Sequence, residues 1–401
     1  MKFLVLGAAG MQGKAAVHDL CRLPEVREIV CADMNPDALH MFASFLDMEK
    51  ITLRTVRADS KEDLIRLMSE GIDVVIDLLP IQFIPAVAEA AVEAGVSLVN
   101  TFYASSLPED IHEKALAKGI AILPEMGLDP GIDLILCGYG VSRMDEVYEL
   151  HSYCGGFPEP AAIDNPLKYK LTWIWDGVLK SYKRPARLMQ DGRVIDIPAE
   201  EQHAPQWVET LEFPGVGTLE LIPNGNAVVF GDLLGIADTL RNTSRRYMRW
   251  TGHAELLHAL KQMKFLSDEP VAGLAHPITP HEFMRAHLQP QLQYQDGEKD
   301  IVAMRNIVSG RKDGQDVRIT FDLVDYRDMN TGLFAMNRTV GYTASIAAQM
   351  IASGQIRGKG LLRSTTDIPY AEFVEQLQHR NIAVKETIEM LPATVSIAEQ
   401  K

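Results

Sequence analysis

The segment Phe3-Leu4-Val5-Leu6-Gly7-Ala8-Ala9-Gly10-Met11-Gln12-Gly13 constrains the fold of this chain more than any other. An apolar run that breaks at three glycines and then continues as Met11–Leu23 with helical periodicity reads as strand, tight turn and helix. The alternation goes on. Ile29–Ala32 and Leu53–Val56 read as strands, and Ser60-Lys61-Glu62-Asp63 as a cap opening the next helix. Ile72–Leu79 is a continuous apolar run of buried-strand type, followed by an alanine-rich helix over Phe83–Ala94. Val96–Val99, a helix over Pro108–Lys118 and Ile120–Leu123 complete the series. Strands alternating with helices predict an α/β fold, an N-terminal Rossmann-type doubly wound parallel sheet over 1–130.

After Gly131 the pattern changes. Glu146–Tyr153 and Tyr169–Trp175 alternate like half-buried antiparallel strands. Asp191-Gly192 and Asp313-Gly314 are hairpin turns flanked by β-rich segments, and Gly252–Leu266 and His281–Gln289 read as helices. These features predict an α+β domain over 131–337 with a mixed, mostly antiparallel sheet and a short helical insertion about 252–290. Thr339–Ala352 is a long helix of small residues, expected to close back on the first domain, so that C-terminal helices about 338–401 complete it.

Composition narrows the function. The chain has 39 Lys+Arg against 54 Asp+Glu, a formal charge of −15, which argues against a nucleic-acid partner. The most apolar long stretch, Val74–Val96, is interrupted by Asp77, Pro80, Pro85, Glu89 and Glu93, so no membrane span is expected. Met1-Lys2 leads straight into the first strand, leaving no signal peptide, and the 4 cysteines have no paired spacing. Reduced thiols in the cytoplasm are the expectation. No metal site is expected, since His281-Glu282-Phe283-Met284-Arg285 lacks the second histidine of a helical zinc motif.

The glycine turn reads as a dinucleotide site, the alternative being a plain tight turn between strand and helix. Its glycines allow close backbone approach to a pyrophosphate lying on the helix N-terminus, with Gly7, Ala9, Gly10, Met11 and Gly13 in contact. Asp33 ends the second strand, 20 positions after Gly13. A carboxylate there accepts from the ribose 2′-hydroxyl and repels a 2′-phosphate, so NAD is favoured over NADP. The competing role for Asp33 is to cap the turn at Asn35-Pro36-Asp37. Asp59 and Ser60 either touch the adenine edge or cap a helix. Leu79, Pro80 and Thr101, at carboxyl ends of later strands, complete the cofactor set. No tyrosine is followed four residues later by lysine, which excludes short-chain dehydrogenase chemistry.

Several motifs in one order then carry a resemblance. Glu125-Met126-Gly127-Leu128-Asp129-Pro130-Gly131-Ile132-Asp133 looks like the loop that enters the second domain of the saccharopine dehydrogenase family, and Thr101-Phe102-Tyr103 like its Thr-Ser-Tyr strand end. Ser152-Tyr153-Cys154-Gly155-Gly156-Phe157-Pro158 is similar to its Cys-Gly-Gly-Leu-Pro turn, and Asp164–Lys170, Trp173 and Gly177-Val178-Leu179 follow in the family's order. Arg241-Asn242-Thr243-Ser244-Arg245-Arg246-Tyr247 matches its Arg-Gly-Thr-Leu-Arg-Tyr strand imperfectly. Gly252-His253-Ala254-Glu255 and Gly310–Gly314 lean toward the lysine 6-dehydrogenases, a sister group.

The resemblance implies an NAD(P)-dependent oxidoreductase acting on the CH–NH group of an amino acid, through an iminium-like transition state. It implies Asp129 as the carboxylate near the reacting nitrogen, with Tyr103 its hydrogen-bonding neighbour. Arg241 becomes the best match for a substrate carboxylate, with Arg246 second and Asn242 beside Arg241, and Cys154, Gly155 and Lys170 become substrate contacts. Cys154 is as well explained by packing, and Lys170 by an exposed strand face. Lysine 6-dehydrogenase, a carboxynorspermidine-type reductase and a non-catalytic NAD-binding scaffold are the alternatives. A homodimer is expected through the second domain's sheet, with Leu171, Trp173 and Trp175 on its exposed face.

Overall fold

In the computed structural model, which describes residues 1–392, the first apolar runs become strands linked by helices. Along the chain lie β1 (Lys2–Leu6), α1 (Met11–Cys21), β2 (Glu28–Asp33), β3 (Ile51–Thr55), α2 (Lys61–Met68), β4 (Val74–Asp77) and α3 (Ile84–Ala94). β5 (Ser97–Asn100), α4 (Ile111–Lys118), β6 (Ala121–Leu123) and α5 (Ile132–Ser142) follow. Next come β7 (Glu146–Pro158), α6 (Trp175–Ser181), β8 (Ala186–Gln190), β9 (Arg193–Ile197), β10 (Glu209–Phe213), β11 (Gly217–Pro223) and α7 (Val229–Leu234). Then β12 (Asn242–Trp250), α8 (His253–Gln262), α9 (Pro280–Leu288), β13 (Asp300–Lys312) and β14 (Gln315–Tyr326). Last are α10 (Ala335–Ala352), β15 (Gly360–Leu361), α11 (Tyr370–His379) and β16 (Val384–Met390).

Two units emerge. The first joins Met1–Tyr139 to Asp328–Ala383 and holds a parallel sheet in the order β15-β6-β5-β4-β1-β2-β3. The order reverses at β1, which pairs with β2 on one side and β4 on the other. That switch point is where an open parallel sheet leaves a crevice for a ligand. β4 is buried along its whole length, as its uninterrupted Val-Val-Ile requires. α10 closes on α1 as expected, and small residues make the contact possible. A Cβ on Gly341 would lie 2.4 Å from the Gln12 carbonyl oxygen. The contact is pinned by polar pairs: the Arg380 guanidinium donates to both oxygens of the buried Asp19 (2.6 and 2.9 Å), and Ser345 and Gln349 donate to Asp19 as well.

The second unit, Gly140–Arg327 with the strand from Val384, carries the mixed sheet β10-β11-β12-β7-β13-β14-β16, with β8 and β9 attached beside β12. Only the β12–β7 pair is parallel there; the rest are antiparallel. Both Asp-Gly turns form hairpins, with φ of 50° and 74° at Asp191 and Gly192 and 50° and 78° at Asp313 and Gly314. That pair of left-handed residues matches the twist of the flanking strands. On one face Phe157, Met248 and Trp250 pack with Phe213 and Leu219; on the other, Tyr247 and Ile222 pack under α6 and α8 with Tyr169, Val178 and Leu257.

Three sequence expectations need correction. Tyr169–Trp175 is no strand: the chain is irregular to Ile174 and α6 starts at Trp175, where Asp176 and Lys180 pair one turn apart. Leu171 and Trp175 are buried in their own unit's core with Trp173 packed against it, so they do not form an exposed dimer face. Residues 384–390, expected among helices completing the first sheet, form β16 and extend the second sheet beside β14. The alternation of Val384, Glu386, Ile388 and Met390 has strand rather than helical period. The part of that expectation covering 393–401 lies outside the described residues. Among the described residues, no helix is long and apolar enough to cross a membrane.

Candidate active site

The glycine turn is built backbone on backbone. Gly7 has a φ of 75° and its amide donates to the Ala32 carbonyl at 2.9 Å. A Cβ on Gly7 would lie 2.9 Å from the Leu78 carbonyl oxygen, and one on Gly13 would lie 2.1 Å from that of Gly7. α1 therefore starts directly against β1, with its first amides at the carboxyl end of the sheet, where an anion is favoured. Ala9 is half-buried, and Gly10 and Met11 are exposed on the rim.

Asp33 closes the turn from the neighbouring strand. One of its oxygens accepts from the Ala9 amide (3.1 Å) and the other from the Asn35 amide (3.1 Å). The carboxylate thus braces the turn, and its remaining lone pairs still serve a ribose hydroxyl. Asp59 lies in a two-point pair with the exposed Arg57 (3.2 and 2.9 Å), and that guanidinium holds its carboxyl below the ordinary range. The Ser60 hydroxyl accepts from the Asp63 amide, so Ser60 caps α2.

Two polar groups to which sequence reasoning gave no role of their own end β4 and β5. Asp77 and Asn100 are register partners, both buried. Each turns the chain: Asp77 accepts from the Leu79 amide (3.0 Å) and Asn100 from the Phe102 amide (3.0 Å). The other side-chain atoms, Asp77 Oδ2 and Asn100 Nδ2, have no partner among the described residues. Burial pushes the Asp77 carboxyl up to about 7, against the one amide bond that lowers it. These two turns aim Leu79-Pro80 and Thr101–Tyr103 at the crevice side of the sheet. The signal in the sequence was an acid at the end of an otherwise apolar run.

The loop after β6 is fastened to the same edge. The Glu125 and Met126 amides donate to the carbonyls of Phe102 and Asn100 (2.9 Å each), and Glu125, at a φ of 62°, accepts from the Ala104 amide and the Ser364 hydroxyl. A Cβ on Gly127 would touch Thr101 at 3.4 Å. Asp133 is fully buried and accepts from the Gly131 amide (2.8 Å), while Asp129 and Tyr103 are both half-buried. The loop that carries Asp129 and the strand end that carries Tyr103 are thereby tied together.

In the second unit the expected contacts separate. Cys154, on β7, is buried, and a Cβ on Gly155 would lie 2.4 Å from the Met248 carbonyl oxygen, so strand packing alone demands that glycine. Lys170 is buried rather than displayed on a strand face, and its ammonium is held by Asp164 (2.7 Å) and Glu298 (2.8 Å). Arg241 and Asn242 serve the β8–β9 turn. The Arg241 guanidinium donates to the carbonyls of Asp238 and Leu240, and Asn242 accepts from the Asp191 amide (2.9 Å). β12 pairs Asn242 with Glu149 but Tyr247 with Cys154, which leaves Arg241 roughly 20 Å along the strand from the level of Cys154 at about 3.3 Å per residue. The structure does not bring Arg241 to Cys154. Level with Cys154 and one step beyond stand Tyr247 and Arg249 of the same strand face.

Two family models match the chain. The "Saccharopine dehydrogenase NADP binding domain" covers residues 3–123 and the "Saccharopine dehydrogenase C-terminal domain" residues 127–382. The chain is 26% identical to the mitochondrial alpha-aminoadipic semialdehyde synthase of Mus musculus, over 95% of this chain and 47% of that protein. It therefore spans about half the length of such relatives. It is 28% identical to the NADP(+), L-glutamate-forming saccharopine dehydrogenase of Saccharomyces cerevisiae, over 72% of this chain and 78% of that one. A solved structure, the apo L-Glu-forming saccharopine dehydrogenase of S. cerevisiae, superposes with a TM-score of 0.85 at 23% identity, covering 97% of this chain and 99% of that one, and shares the fold.

Proposed function

We propose that this chain, which belongs to the saccharopine dehydrogenase family, is an NAD-dependent oxidoreductase that acts on the CH–NH group of an amino acid, with a saccharopine-type secondary amine as its substrate. The observation that carries the reading is the glycine cradle braced by Asp33. Side chains at Gly7 or Gly13 would fill it, and an acid closes it where a ribose would lie. Bound there, NAD supplies the hydride acceptor.

The chain's own groups have these roles. Gly7, Ala9, Gly10, Met11 and Gly13 hold the pyrophosphate against the start of α1. Asp33 takes the adenine-side ribose, with Asp59 and Ser60 at that edge, and Leu79, Pro80 and Thr101 face the nicotinamide half. Asp129 stabilises positive charge growing on the substrate nitrogen, a contribution worth several kcal/mol from a fixed carboxylate. Tyr103 orients that carboxylate and moves the proton. Cys154 and Gly155 lie along the substrate. In a reaction that releases glutamate, as the yeast relative's name states of that enzyme, nitrogen stays with the glutamate arm and the carbon oxidised belongs to the other arm.

The yeast relative is named for NADP; Asp33 supports NAD here, because a 2′-phosphate would meet its charge at close range. Asp33→Asn keeps an acceptor for the turn and removes the charge. The ratio of NAD to NADP affinity is expected to fall by about tenfold or more, roughly 1.4 kcal/mol. A ratio unchanged in paired titrations contradicts the role given to Asp33. The same reading puts the protein in the cytoplasm as a homodimer: the four cysteines are buried and no disulfide joins them, and Ile388 and Met390 on the end strand β16 are 50% and 59% exposed. A monomeric mass in solution counts against the dimer.

The activity is tested on a panel of saccharopine, free lysine and carboxynorspermidine with NAD. Saccharopine is expected to give the largest kcat/KM. Lysine turned over faster, with release of ammonia, would replace saccharopine by lysine as the substrate.

A further inference from the structure

Four arginines are buried among the described residues: Arg246, Arg249, Arg338 and Arg380. Three of them face a carboxylate of their own unit, Arg246 with Glu209, Arg338 with Asp328 and Arg380 with Asp19. Arg249 makes no salt bridge among the described residues. It is 7% exposed, its Nη1 donates to the Met248 carbonyl (2.8 Å), and its Nε has no partner. The faces of its guanidinium are covered by Tyr169 and Tyr247, whose ring centres lie 4.8 and 4.9 Å away. Tyrosine faces recover part of the cost of burying a cation, but they accept no hydrogen bond at its edge.

The surroundings lack the same thing. Tyr182 stands beside Arg249 with its hydroxyl oxygen turned to that guanidinium, and the proton of this buried hydroxyl has no acceptor among the described residues; the buried Trp175 indole N–H has none either. The Tyr247 hydroxyl is taken by His203, and His253 uses its Nδ1 on the Leu167 carbonyl (2.6 Å). Around Arg249 the packed cluster therefore holds a permanent positive charge and two donors without acceptors, Arg249 Nε and the Tyr182 hydroxyl, with a third, Trp175 Nε1, on the indole stacked against Tyr169. A carboxylate offers only acceptors and one negative charge. On β12 this cluster is on the face that Tyr247 shares with Cys154, where the substrate contacts of the second unit are placed.

We propose that Arg249, with Tyr182 and Trp175, is the subsite for a carboxylate of the amino-acid substrate, in the role that sequence reasoning gave to Arg241. The assignment rests on the reading of the substrate as an amino acid. Its recognition chemistry is that of any small carboxylate, so it is tested without turnover.

Glutarate, a dicarboxylate without an amine, is titrated calorimetrically into the full chain and into Arg249→Lys, Tyr182→Phe and Arg241→Lys. Saturable binding to the unaltered chain is expected, weakened at least tenfold by Arg249→Lys and severalfold by Tyr182→Phe, and unchanged by Arg241→Lys. Tyr182→Phe keeps the ring and removes only the hydroxyl beside Arg249, so it decides the matter should Arg249→Lys fold poorly. NAD affinity is expected to stay within twofold in all three. Absent glutarate binding to the unaltered chain, or equal binding by Tyr182→Phe and a folded Arg249→Lys, overturns the subsite. Oxidation of saccharopine with an unchanged KM in Arg249→Lys would leave the hydride-transfer reading standing and remove only this one. Glutarate binding without any amine oxidation would do the reverse.

Discussion

Gly13→Ala is expected to lose NAD affinity by about two orders of magnitude. The added Cβ would sit 2.1 Å from the Gly7 carbonyl oxygen and 2.7 Å from the Ala8 Cα, both backbone atoms. Neither can step aside as a flexible side chain would, so the turn and the start of α1 must separate. Overpacking of this kind costs about 1–3 kcal/mol and occasionally more. Here it falls on the amides that would face the pyrophosphate, so the loss appears in binding as well as in stability. Fluorescence titration of NADH checks the first and thermal melting the second. An affinity within threefold of the unaltered protein would place the dinucleotide elsewhere.

Asp77→Asn is expected to change how stability depends on pH. The Asp77 carboxyl, ordinarily near 3.8, is pushed up to about 7 by burial. Below about pH 4 it is protonated in both the folded and the unfolded chain. Between there and about pH 7 only the unfolded chain has released the proton, so this group's contribution falls as pH rises. Above 7 the folded chain is charged too, and the full loss of about 4 kcal/mol has accrued. Asparagine holds the Leu79 amide with its own oxygen and does not titrate. The variant should therefore melt above the unaltered protein at pH 8 by several degrees more than at pH 4.5. Parallel melting curves across that range would contradict a neutral, buried Asp77.

What the sequence made legible is what local backbone chemistry dictates. Glycines at 7 and 13 are readable because no other residue tolerates the approach of Leu78 and Gly7 carbonyls. The Asp-Gly turns are readable because both positions need positive φ, and β4 because an uninterrupted apolar run implies burial on both faces. Asp33 was legible from its distance to the turn, although its double service to the Ala9 and Asn35 amides was not.

The failures share a cause. Alternation in Tyr169–Trp175 suggested a strand, but the apolar residues there pack into the core under α6 and α8, which no period along the chain reveals. Among the four arginines between 241 and 249, spacing cannot say which lacks a carboxylate. Glu209, which neutralises Arg246, comes from β10, 37 positions away. Asp77 looked like a break in an apolar run, and its perturbed proton affinity follows only from its burial.

The central claim is that hydride leaves a carbon bonded to nitrogen and reaches nicotinamide directly. Its most direct measurement uses saccharopine deuterated at the ε-carbon of its lysine-derived arm, with NAD and the purified chain. Mass spectrometry of the reduced dinucleotide should find one deuterium, at nicotinamide C4, together with a slowed kcat. Reduced dinucleotide carrying no deuterium, or no reduction at all, would contradict it.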